Sequence, residues 1–316
     1  MCLCLCLVAL CAGRAGHAQE ASVAPDVVRQ PLGDAWWTGP MLANSAATLP
    51  QGHFLLEPYL YDVTSTHGDS YGSLTYMQYG LTDRLTVGLV PTFGYNRVDN
   101  GPNSSGVGWG DSSVQAQYRL HQFQEGSWVP TMSVMLQETF PTGKYDRLGD
   151  RPADGFGSGA ASTTLQLNTQ TYFWMPNGRI LRMRFNVGQT WSRSATLHDV
   201  SVYGTPEGFR GHAKPGDSLL VNAAWEYNMN RHWVLALDLT WRHTNGTPVD
   251  GVVMHGDGTV EDYHARAGSS VTWGIAPAIE YNVSGNLGFL FGVRVLTGGF
   301  RTTTSITPAI ALNYVH

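Results

Sequence analysis

Charged residues at alternate positions are the side chains of this sequence that could do chemistry. Arg182 and Arg184 stand two residues apart in a mostly apolar segment, so in a β-strand both guanidinium groups face the same side. Such a pair can hold the anionic or carboxylate group of a small molecule. It can equally form a salt-bridge network with nearby carboxylates, and the sequence leaves both interpretations open.

Eight more charged residues occupy the polar phase of similar alternating segments. Together with the arginine pair they comprise five basic and five acidic residues, which we interpret as the candidate lining of a polar passage. The set is Arg119, Arg182, Arg184, Arg242, Arg294, Glu57, Asp111, Glu226, Asp238 and Glu280.

Histidines raise the alternative of an enzyme. His243 ends an alternating segment on its apolar phase and could serve an outer-membrane lipid-modifying enzyme, but no serine nucleophile is identifiable beside it. A later polar segment could form a protease-like or metal site, yet its ligand spacing is not diagnostic. It contains Asp250, Asp257, Glu261, Asp262, His255 and His264. We therefore expect no catalytic residue, no metal and no cofactor, and keep the lipid-modifying enzyme or protease as an alternative.

The elements that must position these side chains are β-strands. From about Gln51 to the C-terminus apolar and polar residues alternate with period two. Most candidate strands have about 10 to 14 residues, which exceeds the usual 5–6 and fits a tilted strand that crosses a membrane. The twelve candidates cover residues 52–62, 71–80, 84–95, 110–120, 128–139, 161–174, 179–192, 217–228, 232–243, 269–281, 286–296 and 303–315.

The connections between these strands alternate in length. Short links such as 81–83 alternate with long polar links at 63–70, 96–109, 140–160, 193–216 and 244–268. Short periplasmic turns and long extracellular loops are typical of outer-membrane barrels, and an even strand number leaves both chain ends on the periplasmic side. Aromatic residues on the apolar phase gather near both strand ends, as two interfacial girdles require.

Composition excludes several other classes. Charged residues make up 14% of the 316 residues and aromatic residues 11%. A disordered chain would have more charged and fewer aromatic residues, so this class is excluded. No apolar run of about 18 residues occurs in the body of the chain, so a helical membrane protein is excluded. The net charge of −5 argues against a nucleic-acid partner. A large soluble sandwich or lipocalin-like barrel would show shorter and less regular strands.

The N-terminal region precedes the alternating pattern. Residues 1–18 read as a secretory signal peptide cleaved after Ala18, and all four cysteines lie within the first eleven residues, so the mature chain would have none. Residues 19–50 show no clear periodicity and contain Trp36-Trp37. Because two adjacent tryptophans rarely stay in water, we expect this segment to fold into or beneath the barrel as a plug. An exposed leader is the alternative.

Five short motifs resemble a known family in their order and spacing. They are Thr38-Gly39-Pro40, Leu49-Pro50-Gln51-Gly52-His53-Phe54, Tyr79-Gly80-Leu81-Thr82-Asp83-Arg84-Leu85, Gly110-Asp111-Ser112 and Pro141-Thr142-Gly143-Lys144-Tyr145. Over residues 36–316 the chain resembles the outer-membrane family named for the meta-pathway of phenol degradation. That resemblance implies a barrel that passes hydrophobic or aromatic solutes, and it carries no catalytic motif.

The sequence thus predicts an all-β, up-and-down transmembrane barrel of about twelve strands over residues 51–316, in the outer membrane of a Gram-negative cell. The expected function is passive uptake of small, aromatic or hydrophobic solutes. A sealed barrel that serves as a surface anchor is a further alternative. Expected partners are outer-membrane lipid, lipopolysaccharide, the barrel-assembly machinery and a small-molecule solute.

Overall fold

The computed structural model describes residues 27–316, whose regular secondary structure is almost entirely β-strand. Two single 3-10 turns lie at Leu32–Asp34 and Pro152–Asp154. The strands are β1 Phe54–Ser65, β2 Gly68–Thr82, β3 Leu85–Val90, β4 Thr92–Val98, β5 Gly108–Trp109, β6 Ser112–His121, β7 Thr131–Phe140, β8 Ser162–Trp174, β9 Ile180–Ser192, β10 Ala195–His198, β11 Phe209–Ala213, β12 Ser218–Asn228, β13 Trp233–Thr244, β14 Thr247–Met254, β15 Val260–Ala267, β16 Ser270–Asn282, β17 Leu287–Phe300 and β18 Ser305–Val315. The expected signal peptide, its cleavage after Ala18 and all four cysteines lie outside the described residues.

The main sheet closes on itself. Strand β1 pairs with β18 on one side and with β2 on the other, and every neighbouring pair is antiparallel. Strands β3 and β4 both pair with β2 and form one barrel strand, interrupted at Pro91, which has no backbone N–H to donate. The predicted twelve-strand antiparallel meander barrel is therefore confirmed.

The predicted link at 63–70 is wrong, because the strands continue through it. Ser65 pairs with Gly68, so only Thr66 and His67 remain in the turn. Gly68 has a φ of +131°, a backbone conformation that L side chains rarely adopt. The polar residues that suggested a loop belong to strand ends.

The predicted long loops at 193–216 and 244–268 contain a second, four-stranded sheet in the order β10-β11-β14-β15. It has a small apolar core of its own, in which Leu197 and Phe209 are fully buried and pack with Val249 and Val253. The sheet is open, with β10 and β15 as its edge strands, and it is built from the long connections at the loop end of the barrel.

The barrel is apolar outside and polar inside. Leu60 is 61% exposed and Leu136 53%, whereas Asn168, Asp238 and Glu280 are fully buried. This reverses the usual soluble arrangement and is expected where the outer face meets lipid and the closed sheet satisfies every backbone group. No helix in the described residues is long and apolar enough to cross a membrane.

Exposed aromatic side chains lie at both ends of the apolar belt. At the short-turn end they include Tyr79, Tyr118, Phe173, Trp233 and Tyr281. At the long-loop end they include Trp109, Trp191, Trp273 and Phe300. Two such girdles match the two polar boundaries of a bilayer.

Candidate functional site in the barrel interior

Residues 37–49, which we call the inner segment, lie inside the barrel. The segment begins at the β16–β17 end, where Asn282 Nδ2 donates to the carbonyl of the preceding residue, Trp36, at 3.3 Å. It leaves beside the β2–β3 turn, where Thr48 Oγ1 donates to the Asp83 carbonyl at 2.6 Å. Since these turns lie on different sides of the barrel, the segment crosses the lumen at its short-turn end.

Wall carboxylates hold the N–H groups of the inner segment. Thr38 N donates to Glu280 Oε2 at 2.7 Å. Asp238 accepts two bonds from this segment, from Leu42 N at 3.2 Å and from Ala43 N at 2.9 Å. A carboxyl oxygen accepts a backbone N–H, so these two acids anchor a segment without secondary structure.

Wall side chains also satisfy the carbonyl groups of the inner segment. Arg184 Nη1 donates to the Ala43 carbonyl at 2.8 Å. Gln117 Nε2 bridges two carbonyls, those of Ser45 at 3.0 Å and Ala47 at 2.9 Å. Donors and acceptors therefore reach the segment from opposite parts of the wall, and its buried backbone is paired without a strand partner.

A buried ion cluster lies beneath this segment. Glu226 is fully buried, and its carboxylate binds Arg182 through Nε at 2.7 Å and also through Nη2. Arg184 Nε lies 3.0 Å from the same carboxylate. The guanidinium of Arg182 stacks on the Trp37 ring at 4.3 Å, which adds a cation–π contact. The two predicted solute-binding arginines are thus engaged with protein groups.

Between the inner segment and the wall of β1, β2 and β6 lies a cavity of about 220 Å³. The side of the cavity that the barrel wall forms has polar and aromatic side chains. They include Glu57, Tyr59, Tyr76, Gln78, Gln115 and Gln117. The Tyr59 hydroxyl donates to Glu57 Oε1 at 3.3 Å, and the rings of Tyr59 and Tyr76 meet edge to face at 6.1 Å.

The remaining charged candidates lie apart from this cluster. Arg242 Nη1 donates to Ser218 Oγ at 3.3 Å and Arg294 Nη2 to Thr307 Oγ1 at 3.5 Å. Arg119 lies beside a register irregularity at the short-turn end of β6. Within residues 27–316 none of these three arginines forms an ion pair. The ten candidates therefore do not form one continuous lining.

Asp111 has a different role from the one predicted, because it organises a loop. Its carboxylate accepts bonds from Gly143 N at 3.1 Å and from Ser158 N and Oγ, both at 2.7 Å. Ser112 N donates to Thr142 Oγ1 at 2.9 Å in the same place. The fourth and fifth sequence motifs therefore meet in space and fold residues 140–160 against the barrel mouth.

The second and third motifs also meet, where the inner segment leaves the barrel. Gly52 N donates to the Gly80 carbonyl at 2.9 Å, and Gln51 N donates to Asp83 Oδ1 at 2.9 Å. A Cβ at Gly80 would lie 2.1 Å from the Pro50 carbonyl oxygen, so this close approach requires glycine. Four of the five short sequence motifs thus meet in pairs, and each pair forms one contact between separate parts of the chain.

Residues 29–36 cover the outside of the short turns. The Trp36 ring meets His232 edge to face at 5.4 Å, and Arg231 bonds Asp34 at 2.7 Å. Trp174 Nε1 donates to the Gln30 carbonyl at 2.8 Å. Of the two tryptophans proposed for a plug, Trp36 therefore lies at the turns, whereas Trp37 points to the interior cluster.

Sequence reasoning missed the neutral amides of the interior. Asn186 Nδ2 donates to Asn168 Oδ1 at 2.8 Å, and Asn168 Nδ2 donates to Gln117 Oε1 at 2.9 Å. Asn186 Nδ2 also reaches the Asn44 carbonyl at 3.1 Å. These residues share the polar phase of their strands with the arginines, which was the available signal, but the candidate set named only the charged residues of that phase.

The candidates for an enzyme form no catalytic arrangement in the described residues. His243 Nε2 lies 3.2 Å from Asn245 Oδ1, and its ring stacks near Trp241. His264 pairs with Asp250 at 2.7 Å and both are well exposed. No group of three or more histidine, cysteine or acidic residues in residues 27–316 could hold a metal ion.

Comparison with protein families gives a match over residues 39–306 to the model described as "Putative MetA-pathway of phenol degradation". The chain belongs to this family. No curated protein matches the chain. The match begins at Gly39, within the inner segment, and covers the barrel as far as the start of β18.

Solved structures share the barrel fold. The COG4313 outer membrane channel from Pseudomonas putida F1 aligns with a TM-score of 0.61 at 15% identity, over 87% of this chain and 100% of that one. The translocator domain of the autotransporter NalP from Neisseria meningitidis gives 0.45 at 11% identity, over 83% and 87%. The toluene transporter TbuX from Ralstonia pickettii gives 0.38 at 12% identity, over 84% and 91%. The first of these similarities shows that the chain has the fold of an outer-membrane barrel.

Proposed function

We propose that this family member is an outer-membrane channel for the passive entry of small, aromatic or hydrophobic solutes, and that the inner segment is its plug. The observation that carries the proposal is a closed barrel with a lipid-facing apolar belt and a polar interior, where a segment without secondary structure lies beside a cavity. A structure needed only for anchoring does not require an interior space of this kind.

The aromatic character of the solute is supported by the family description and by the cavity wall, where tyrosines accompany polar side chains. In this proposal the charged set Arg182, Arg184 and Glu226 stabilises the interior and does not bind the solute. The outer face contacts outer-membrane lipid and lipopolysaccharide, and the barrel-assembly machinery inserts the chain after removal of residues 1–18.

Planar-bilayer conductance of the purified protein tests the channel directly. We expect discrete conductance steps, and liposome swelling that is faster with phenolic compounds than with sugars. Heat-modifiable migration on unboiled gels serves as the control for a folded barrel.

A sealed barrel that acts as a surface anchor is the second candidate, and the hydrogen-bonded inner segment favours it. The two are separated by a variant with weakened plug anchors, Asp238→Asn combined with Glu280→Gln. If neither wild type nor this folded variant conducts ions or passes solute, the channel proposal is refuted and the anchor stands.

A further inference from the structure

The cavity beside the inner segment has a chemistry that selects one class of molecule. We propose that it is a binding site for a single small hydroxylated aromatic molecule, whose hydroxyl group donates to the Glu57 carboxylate. This inference rests on the proposed channel function and names the site through which the solute passes.

The size of the cavity fits one aromatic ring. Its volume is about 220 Å³, and an apolar cavity of about 150 Å³ is enough to hold benzene. The additional space accommodates one or two hydroxyl groups. A disaccharide is too large for it unless the inner segment moves.

Glu57 supplies a hydrogen-bond acceptor that the protein leaves largely unused. Its carboxylate receives a long bond from the Tyr59 hydroxyl at 3.3 Å and lies beside the Asn313 amide, and it forms no ion pair in the described part of the chain. An ionised carboxylate has about four acceptor positions. The free positions are a place for a hydroxyl donor from a solute.

Two glutamines on neighbouring strands add further hydrogen-bonding capacity. Gln78 and Gln115 line the cavity, and neither side chain makes a hydrogen bond within residues 27–316. Gln117, in contrast, is fully engaged by the inner segment and by Asn168. A second hydroxyl group, as in catechol, can therefore be bound by amides that have no other partner.

The opposite wall excludes an anionic solute. Arg182 and Arg184 line the cavity, but their guanidinium groups are committed to Glu226, to Trp37 and to the Ala43 carbonyl. A carboxylate would find no free cation and would face Glu57. Phenol and catechol should therefore bind, whereas benzoate should not.

Calorimetric titration of the purified full-length protein in detergent tests the site. The probes are phenol, catechol, benzoate, benzylammonium and glucose, and we expect one site that takes the first two. Glu57→Gln removes the charge from the hydrogen bond and should weaken phenol binding about tenfold or more. Gln115→Phe leaves Glu57 in place but fills the space, and it should abolish binding.

The matched control is Glu138→Gln, the same loss of charge at a carboxylate that bonds Thr163 and Arg193 at the far end of β7, outside the cavity. It should bind phenol as wild type does. All variants must show heat-modifiable migration, which separates loss of the site from loss of the fold. Wild-type affinity in folded Glu57→Gln, or tighter binding of benzoate or benzylammonium than of phenol, overturns the proposal.

Bilayer conductance of the same preparations separates the two proposals. Conductance without phenol binding refutes this site and leaves the channel intact. Phenol binding without conductance or solute passage refutes the channel and retains the site.

Discussion

Replacing Asp238 by asparagine tests whether the inner segment is a plug held by wall carboxylates. Asp238 is fully buried and accepts the N–H groups of Leu42 and Ala43, one on each carboxylate oxygen. Asparagine keeps the shape of the side chain, but one acceptor oxygen becomes an NH₂ donor that faces a backbone N–H. The other oxygen remains an acceptor without the negative charge.

The expected loss follows from the two bonds. A hydrogen bond to a charged group contributes about 1.5–3 kcal/mol and a neutral one about 1 kcal/mol. Losing one charged bond and converting the other to a neutral one weakens the anchor by about 2–5 kcal/mol. At about 1.4 kcal/mol for each tenfold change, the detached state becomes roughly 30- to 4,000-fold more populated.

Two measurements report this change. Hydrogen exchange at the amides of Leu42 and Ala43 should accelerate by the same factor, and single-channel recordings should show longer or more frequent open periods. Asp217→Asn is the matched control, because Asp217 accepts the Ser192 N–H at 2.9 Å at the long-loop end and does not touch the inner segment. If Asp238→Asn folds but exchange and gating equal those of wild type, the anchoring argument is wrong.

Three further predictions concern the ion cluster, the exit of the inner segment and a loop contact between Ser105 and Asp154. Glu226→Gln leaves two buried guanidinium groups without their shared carboxylate and should lower the free energy of unfolding by about 3–5 kcal/mol, measured by urea titration in detergent. Gly80→Ala places a Cβ 2.1 Å from a backbone oxygen and should destabilise the inner segment's exit by about 1–3 kcal/mol, seen as faster proteolysis near residues 48–52. Bonds from Ser105 hold the pKa of Asp154 below its ordinary 3.8. The loop contact of Asp154 should therefore be complete above that value and be lost as pH falls through the lowered pKa, which amide exchange of Ser105 across pH 2–6 can check.

The barrel could be predicted because membrane-crossing strands leave a local signal. In each of these strands, apolar residues that face lipid alternate with polar residues that face the interior. Segments such as 232–243 can therefore be recognised as strands without knowing which strands they pair with. The strand ends at 63–70 were missed because beyond the lipid belt both faces are polar, and the period then disappears while the backbone pairing continues.

Pairings across the interior could not be predicted. Glu226 meets Arg182 because β12 and β9 pair in that register, and the long connection between them, residues 193–216, does not fix a register from sequence. The second sheet was missed for a related reason. Its strands are only four to eight residues long, and β15 is mostly exposed, so neither length nor alternation distinguished it from a loop.

The path of the inner segment is explained by the requirement that buried backbone be paired. A segment without secondary structure brings N–H and C=O groups into the barrel, and each needs a partner from the wall. Acids at Asp238 and Glu280 meet N–H groups, while Arg184, Asn186 and Gln117 meet carbonyls. These wall residues lie in the short-turn half of the barrel, at the depth the segment reaches. In that half of the barrel, the charged residues that the sequence suggested as a solute path mostly bind the inner segment. Glu57 differs from them, because its carboxylate makes no hydrogen bond to the inner segment.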